Sequence, residues 1–127
     1  MPSTKCPFLL IGEQGDFWRQ VLEGALAPMG HLQTVEEKSA IDLVIENEYA
    51  AIVIDAAHVG SFGLMTSRIR AQRPDARVIV ATAAPSWQRA REAFKSGATD
   101  YIYKSADEAE LLASLEAALA KPLTPWP

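Results

Sequence analysis

Residues 50–60 read AAIVIDAAHVG, an apolar, β-branched run that drives into a single carboxylate, Asp55. Ala51 to Ile54 show no polar alternation, the pattern of a short strand buried on both faces at the centre of a parallel sheet. A strand buried on both sides tolerates an aspartate only at its end, where the carboxylate emerges beyond the carboxyl edge of the sheet and stays hydrated or meets a cation. Aspartate is also common as a turn cap, and this strand alone leaves both roles open.

Working outward, the same kind of run recurs. Residues 77–81 (RVIVA) are again apolar without alternation and end in Thr82-Ala83-Ala84-Pro85. Residues 7–12 (PFLLIG) form a first buried strand that ends in the polar turn Gly12-Glu13-Gln14-Gly15-Asp16. Asp100 to Tyr103 is a fifth short strand that delivers Lys104, and His31 to Val35 is a weaker, edge-like one.

Helical spacing fills the gaps between these strands. Asp16 is placed to N-cap a helix carrying Phe17, Val21, Leu22, Ala25 and Leu26, stopped by Pro28 and Gly30. Ser39 and Asp42 open a second, with Ile41, Leu43, Val44 and Ile45 on its face. Phe62 to Arg73 is a third. Ser86 caps a fourth that packs Trp87, Ala90 and Phe94 inward, shows Arg89, Arg91, Glu92 and Lys95 to water, and ends at Gly97. Ser105 and Glu108 form a capping box for a last helix, 106–120, with Ala109, Leu112, Leu115, Ala118 and Leu119 as its buried stripe.

Five strands alternating with five helices predict a parallel sheet covered on both sides through right-handed crossovers. At 127 residues the expected α/β fold is one doubly wound, flavodoxin-like domain of five parallel strands in the order 2-1-3-4-5, with five helices, over residues 1–120. Residues 121–127 (KPLTPWP) cannot continue the last helix and are expected to be a proline-rich tail or the start of a linker.

Composition narrows the function classes. A net charge of -4 argues against a dedicated nucleic-acid binder. Charge is uneven, however: residues 61–104 hold eight Lys or Arg against three acids, and the remainder four against thirteen. One cysteine, Cys6, excludes an internal disulfide and fits a reducing compartment. No segment approaches the length of a membrane span, and the N-terminus has no secretory pattern, so the expected location is cytoplasmic.

In the expected strand order the sheet's carboxyl edge gathers Glu13, Asp55, Thr82 and Lys104 into one crevice. Two carboxylates there repel each other unless a cation sits between them, and a hard, oxygen-ligated Mg²⁺ fits two carboxylates, a backbone carbonyl and waters. Thr82 can donate to an oxyanion and Lys104 can pair with one. The set suits transfer of a phosphoryl group to a carboxylate. His58, three residues past Asp55, can approach the crevice, although a single loop histidine is ordinarily just solvated.

Over Pro7 to Ala120 the sequence resembles the receiver domain family of two-component response regulators. The matching features are IVID ending at Asp55, Gly63 eight residues later, Thr82-Ala83 after the fourth strand, and GATDYIYK over residues 97–104. The resemblance implies a signalling switch rather than a metabolic enzyme, with at most weak self-phosphorylating and dephosphorylating chemistry. It implies a 4-aspartylphosphate formed on Asp55 from a histidine kinase or histidine phosphotransfer protein. It also implies Mg²⁺ held by Glu13, Asp55 and the carbonyl of Ala57, phosphoryl contacts from Thr82, Ala83 and Lys104, and switching through Thr82 and Tyr101. A downstream protein target follows. The charges also allow a homodimer through the fourth helix, fifth strand and fifth helix, in which Arg89, Arg91 and Lys95 can pair with acids such as Asp107 or Glu110 of a second copy. Neither nucleic acid nor membrane is an expected direct partner.

The sequence departs from the family pattern in three places. Gly12-Glu13 stands where the family carries two adjacent acids, which removes one acid and lengthens the other. Asp16 can reach in to compensate, against its simpler role as an N-cap. Ser105 follows Lys104 where the family favours a proline with a cis peptide, and a cis bond before Ser105 costs about 3 kcal/mol, so a trans bond is expected. The loop after Asp55, Ala56 to Val59, lacks the family's frequent proline. These changes bear on Mg²⁺ binding and support a second possibility, a degenerate receiver acting as a phosphorylation-independent binding or dimerisation module. A flavin or nucleotide enzyme on this fold needs a phosphate-cradling first loop, and Gly12 to Asp16 carries two acids instead.

Overall fold

The computed structural model of the chain describes residues 6–122. Five strands, β1 (Cys6–Ile11), β2 (Gly30–Val35), β3 (Ala51–Asp55), β4 (Val78–Thr82) and β5 (Asp100–Tyr103), alternate with helices α1 (Phe17–Leu26), α2 (Glu37–Glu46), α3 (Phe62–Gln72), α4 (Trp87–Lys95) and α5 (Glu108–Ala120). The strands pair in parallel in the order β2-β1-β3-β4-β5, the order expected of a doubly wound fold of this size. Every residue of β3 and β4 is buried, which explains their lack of alternation. Residues 123–127, most of the stretch expected to be tail or linker, lie outside the described residues.

Alternate residues of the strands feed two apolar layers. Phe8, Leu10, Val53 and Ile79 pack with Trp18 and Leu22 of α1 and Leu111 and Leu115 of α5. Leu9, Ile11, Ile54 and Val80 pack with Val44 of α2, Met65 and Ile69 of α3 and Ala93 of α4. Each fully buried side chain of this size contributes about 1.5–3 kcal/mol of transfer free energy, so the sheet is held from both faces.

Several helix faces are rotated from the sequence expectation. Phe17 is 67% exposed, and Trp18 takes its place in the core at 5%. In α2 the buried residues are Ala40 and Val44, while Ile45 faces out. In α4 only Ala93 is fully buried, and Trp87 is 69% exposed. Arg89, expected in water, instead lies over the Phe62 ring at 5.3 Å. The last helix begins later than expected: Asp107 is its N-cap, its carboxylate accepting from the amides of Ala109 and Glu110. Ser105 is buried one turn earlier, its hydroxyl accepting from the Asp107 amide, and Leu111 replaces Ala109 in the buried stripe. Gly97, at φ 105°, closes α4 in the left-handed region that favours glycine.

Candidate functional site

Asp55 is the last residue of β3 and is 1% exposed. A carboxylate this buried needs partners, and it has three bonds from two donors. The Ala57 amide donates to Oδ1 at 3.0 Å, and Lys104 Nζ donates to Oδ1 at 3.0 Å and Oδ2 at 2.9 Å. The first of these closes the single 3₁₀ turn Ala56–His58, so Asp55 does cap a turn while also presenting its carboxylate to the crevice.

Lys104 is placed from two sides. Its amide donates to the Thr82 carbonyl at 2.9 Å, extending the β4–β5 ladder by one residue. Its ammonium sits 5.2 Å from the Trp18 ring centroid, a cation–π arrangement. The Trp18 indole Nε1 in turn donates to the Ser105 carbonyl at 2.9 Å, a buried bond spanning 87 residues. All peptide bonds among the described residues are trans, so Lys104-Ser105 is held without the family's cis proline. The indole of α1 contacts both residues of that peptide. Sequence reasoning placed Phe17 inward and missed Trp18, because both fit a helical period and only packing decides between them.

Thr82 is buried at the end of β4, one residue beyond the position that pairs with Asp55, and its Oγ1 accepts from the Ala84 amide at 3.1 Å. Ala83 is exposed. Tyr101 is half-buried, and its Oη accepts from the Ser86 amide at 3.3 Å. That bond ties β5 to the N-terminus of α4, just past Thr82.

The β1–α1 loop departs most from expectation. Asp16 occupies the N-cap position of α1 with extended backbone, but its side chain makes no cap bond. The turn is closed by backbone alone, Asp16 N–H to the Glu13 carbonyl at 3.1 Å and Arg19 N–H to the Asp16 carbonyl at 3.2 Å. The carboxylate is turned toward the crevice, where Oδ2 is buried with no hydrogen-bond partner. One ligand atom each from Asp16, Asp55 and His58 lie within 4.8 Å of one another. The Glu13 side chain is 67% exposed, with Oε2 at 4.0 Å from His58 Nδ1, while His58 Nε2 is 3.9 Å from Asp55 Oδ2. His58 thus stands between Glu13 and Asp55.

The crevice therefore holds a buried, lysine-paired carboxylate, a second carboxylate with an orphaned oxygen, an imidazole and a hydroxyl. Two carboxylates beside one another are stabilised by a cation, and the donor set fits a divalent ion.

The family model of the response regulator receiver domain matches residues 14–116. The chain is 36% identical over 84 residues to the transcriptional regulatory protein ZraR of Escherichia coli K12, a match that covers 65% of this chain and 19% of that protein's length. A response regulator from Thermotoga maritima superposes with a TM-score of 0.80 at 19% identity, covering 92% of this chain and 99% of that one. An orphan response regulator of H. pylori gives 0.77 at 22%, covering 93% and 99%. A response regulator protein from Burkholderia pseudomallei, whose structure has a phosphorylated aspartic acid and a calcium ion, gives 0.74 at 24%, covering 91% and 66%.

Proposed function

The chain belongs to the response regulator receiver domain family, and from that premise we propose that it accepts a phosphoryl group on Asp55 and switches a protein-binding face. The observation that carries this reading is Asp55 itself, buried at the end of the central strand with Lys104 across both oxygens. A carboxylate buried this deeply for packing alone costs stability, whereas an acceptor needs this combination of seclusion and a movable cation.

In the proposed reaction an Asp55 oxygen attacks the phosphorus of a phosphohistidine on a histidine kinase or phosphotransfer protein. The P–N bond breaks as the P–O bond forms, and the imidazole leaves with a proton from solvent. Lys104, released from the carboxylate, pairs with phosphoryl oxygens, and the Thr82 hydroxyl and the Ala83 amide donate to another. A divalent cation at Asp55, such as Mg²⁺, supplies charge neutralisation as oxygen charge builds up. The resemblance assigns it to Glu13, Asp55 and the Ala57 carbonyl, and the orphaned oxygen of Asp16 supports a cation in this crevice. Thr82 moving toward the phosphoryl group vacates space for Tyr101, whose bond to Ser86 N–H connects that change to α4. The surface of α4, β5 and α5 then changes affinity for a target or a second copy. None of the described helices is long and apolar enough to cross a membrane.

The test is intact mass after incubation with Mg²⁺ and acetyl phosphate. The expected result is a gain of about 80 Da, one phosphoryl group, in wild type and none in Asp55→Asn. No gain in either would favour the second reading, a phosphorylation-independent binding module. Gly12, which removes one acid, and the closed Lys104–Asp55 pair, which neutralises the carboxylate without a metal ion, are the observations behind that alternative.

A further inference from the structure

The loss of an acid at Gly12 and the orientation of Asp16 have one joint explanation. A carboxylate oxygen has two lone pairs. Asp55 Oδ1 uses both, on Ala57 N–H and Lys104 Nζ, whereas Oδ2 receives only Lys104. The open lone pair is on the oxygen that His58 Nε2 approaches at 3.9 Å. Asp16 Oδ2 is buried without any partner, although rotation of its carboxylate onto the helix amides would satisfy it as an ordinary N-cap. A buried carboxylate oxygen that makes no cap bond needs another partner, and beside Asp55 and His58 a cation fills that role.

We propose that the cation of this receiver is held by Asp16, Asp55 and His58, with Glu13 orienting His58 from outside, and that this site favours imidazole-binding transition ions over Mg²⁺. The proposal rests on the reading of this crevice as a cation-dependent acceptor site, and differs from it in the ligands and in the class of ion.

Donors about 2.0–2.2 Å from an ion lie roughly 3–4 Å apart. The three ligand atoms lie within 4.8 Å of one another, so side-chain adjustments of under about 1 Å bring them onto one ion. The second nitrogen of His58, Nδ1, faces the Glu13 carboxylate at 4.0 Å. A ligating histidine ordinarily gives its other N–H to a carboxylate, which fixes the tautomer and strengthens the ligand. Glu13, mostly exposed, is better situated for that outer role than for direct ligation. An open cleft of about 730 Å³, lined by Gly12, Glu13, Gln14, Glu37 and His58 among others, brings solvent up to the His58–Glu13 side of the cluster. Two carboxylates and an imidazole form a mixed donor set. Imidazole suits Zn²⁺, Ni²⁺ and Co²⁺, whereas Mg²⁺ prefers oxygen alone.

Every divalent transition ion outbinds Mg²⁺ at most sites, so the decisive quantity is how each side chain affects each ion. Calorimetric titration of the full chain with CoCl₂ and, separately, MgCl₂ measures it. His58→Gln is expected to weaken Co²⁺ binding about 10-fold or more while changing Mg²⁺ binding less than about 2-fold, and Asp16→Asn to weaken both about 10-fold. His58→Asn repeats the test at a shorter length, and circular dichroism establishes that each variant is folded. Co²⁺ binding unchanged in Asp16→Asn and His58→Gln but lost in Asp55→Asn overturns the proposal and leaves the acceptor reading intact. Absence of Co²⁺ binding in wild type also overturns it. Phosphoryl uptake by mass separates the two ideas: uptake without dependence on Asp16 and His58 sinks only the ligand set. Co²⁺ binding that needs both residues, without any uptake, sustains the ligand set and sinks the acceptor reading.

Discussion

Lys104 Nζ reaches both carboxylate oxygens of Asp55, at 3.0 and 2.9 Å, across 49 residues of chain. Only 1% of Asp55 and 11% of the lysine side chain reach solvent. Breaking such a pair from the lysine side leaves an uncompensated buried charge. Lys104→Ala is expected to lower stability by roughly 3 kcal/mol, and Asp55→Asn by less, because an unpaired Lys104 can swing its ammonium toward solvent on a long stem whereas the Asp55 carboxylate cannot. Urea unfolding of the two variants measures the difference, and equal midpoints for Lys104→Ala and wild type would show that the pair contributes nothing.

Two N-cap aspartates in this chain have different jobs. Asp107 accepts from two amides of α5, whereas Asp16 accepts from none in α1. Asp107→Ala is expected to cost about 1–2 kcal/mol, and Asp16→Ala less than about 0.5 kcal/mol without added cation. Thermal unfolding in chelator compares them. A comparable loss in both would mean that Asp16 caps its helix after all.

The contrast shows where the sequence is legible. The covered parallel sheet was readable because β3 and β4 are buried on both faces, and an uninterrupted apolar run has few other homes; the strand order came instead from the usual doubly wound arrangement of a chain this size. Asp55 and Lys104 were readable because each ends such a run. Helix faces were less so: Phe17 and Trp18 are adjacent, and the choice between them depends on the indole meeting the Ser105 carbonyl. The start of α5 slipped from Ser105 to Asp107 because both residues have capping chemistry. Asp16 was read as a cap because position along a helix is visible in sequence and side-chain direction is not. His58 gave a signal, its spacing from Asp55, that carries weight only once Glu13 and Asp16 are seen on either side.

Gly12 leaves room for the acid that the family carries there. A Cβ at this position would lie 3.5 Å from Asp55 Cβ and 3.3 Å from Leu10 Cγ, so a Cβ is accommodated once Leu10 gives by a few tenths of an ångström. Gly12→Asp is expected to raise Mg²⁺ affinity roughly tenfold, the scale of one partly screened charge, and to lower stability in chelator through repulsion with Asp55. Calorimetry and unfolding with and without Mg²⁺ read both effects. Unchanged Mg²⁺ affinity would show that an acid at this position does not reach the ion.

Tyr49 donates its hydroxyl to Gln33 Oε1 at 2.8 Å. Burial, and secondarily the charge of Glu46, raise its pKa above the ordinary value of 10.0. A raised folded-state value means that the folded protein holds this proton more tightly than the unfolded chain. The associated stability is complete below pH 10 and fades as pH rises through the elevated value. Wild type should lose stability more steeply than Tyr49→Phe above pH 10, as followed by denaturant midpoints. Parallel curves would remove Tyr49 from the account.

The indole bond from Trp18 to Ser105 also orders events in folding. Its partners are separated by 87 residues, so closing it requires α1 to wait for nearly the whole sheet. During synthesis β3 and its terminal Asp55 emerge well before the lysine that neutralises that carboxylate. A nascent chain that has reached only β4 carries an aspartate at the end of its central strand with no ammonium to meet. The completed crevice thus forms with the last quarter of the chain, and a truncation there removes the lysine's support and the tie between the two ends together.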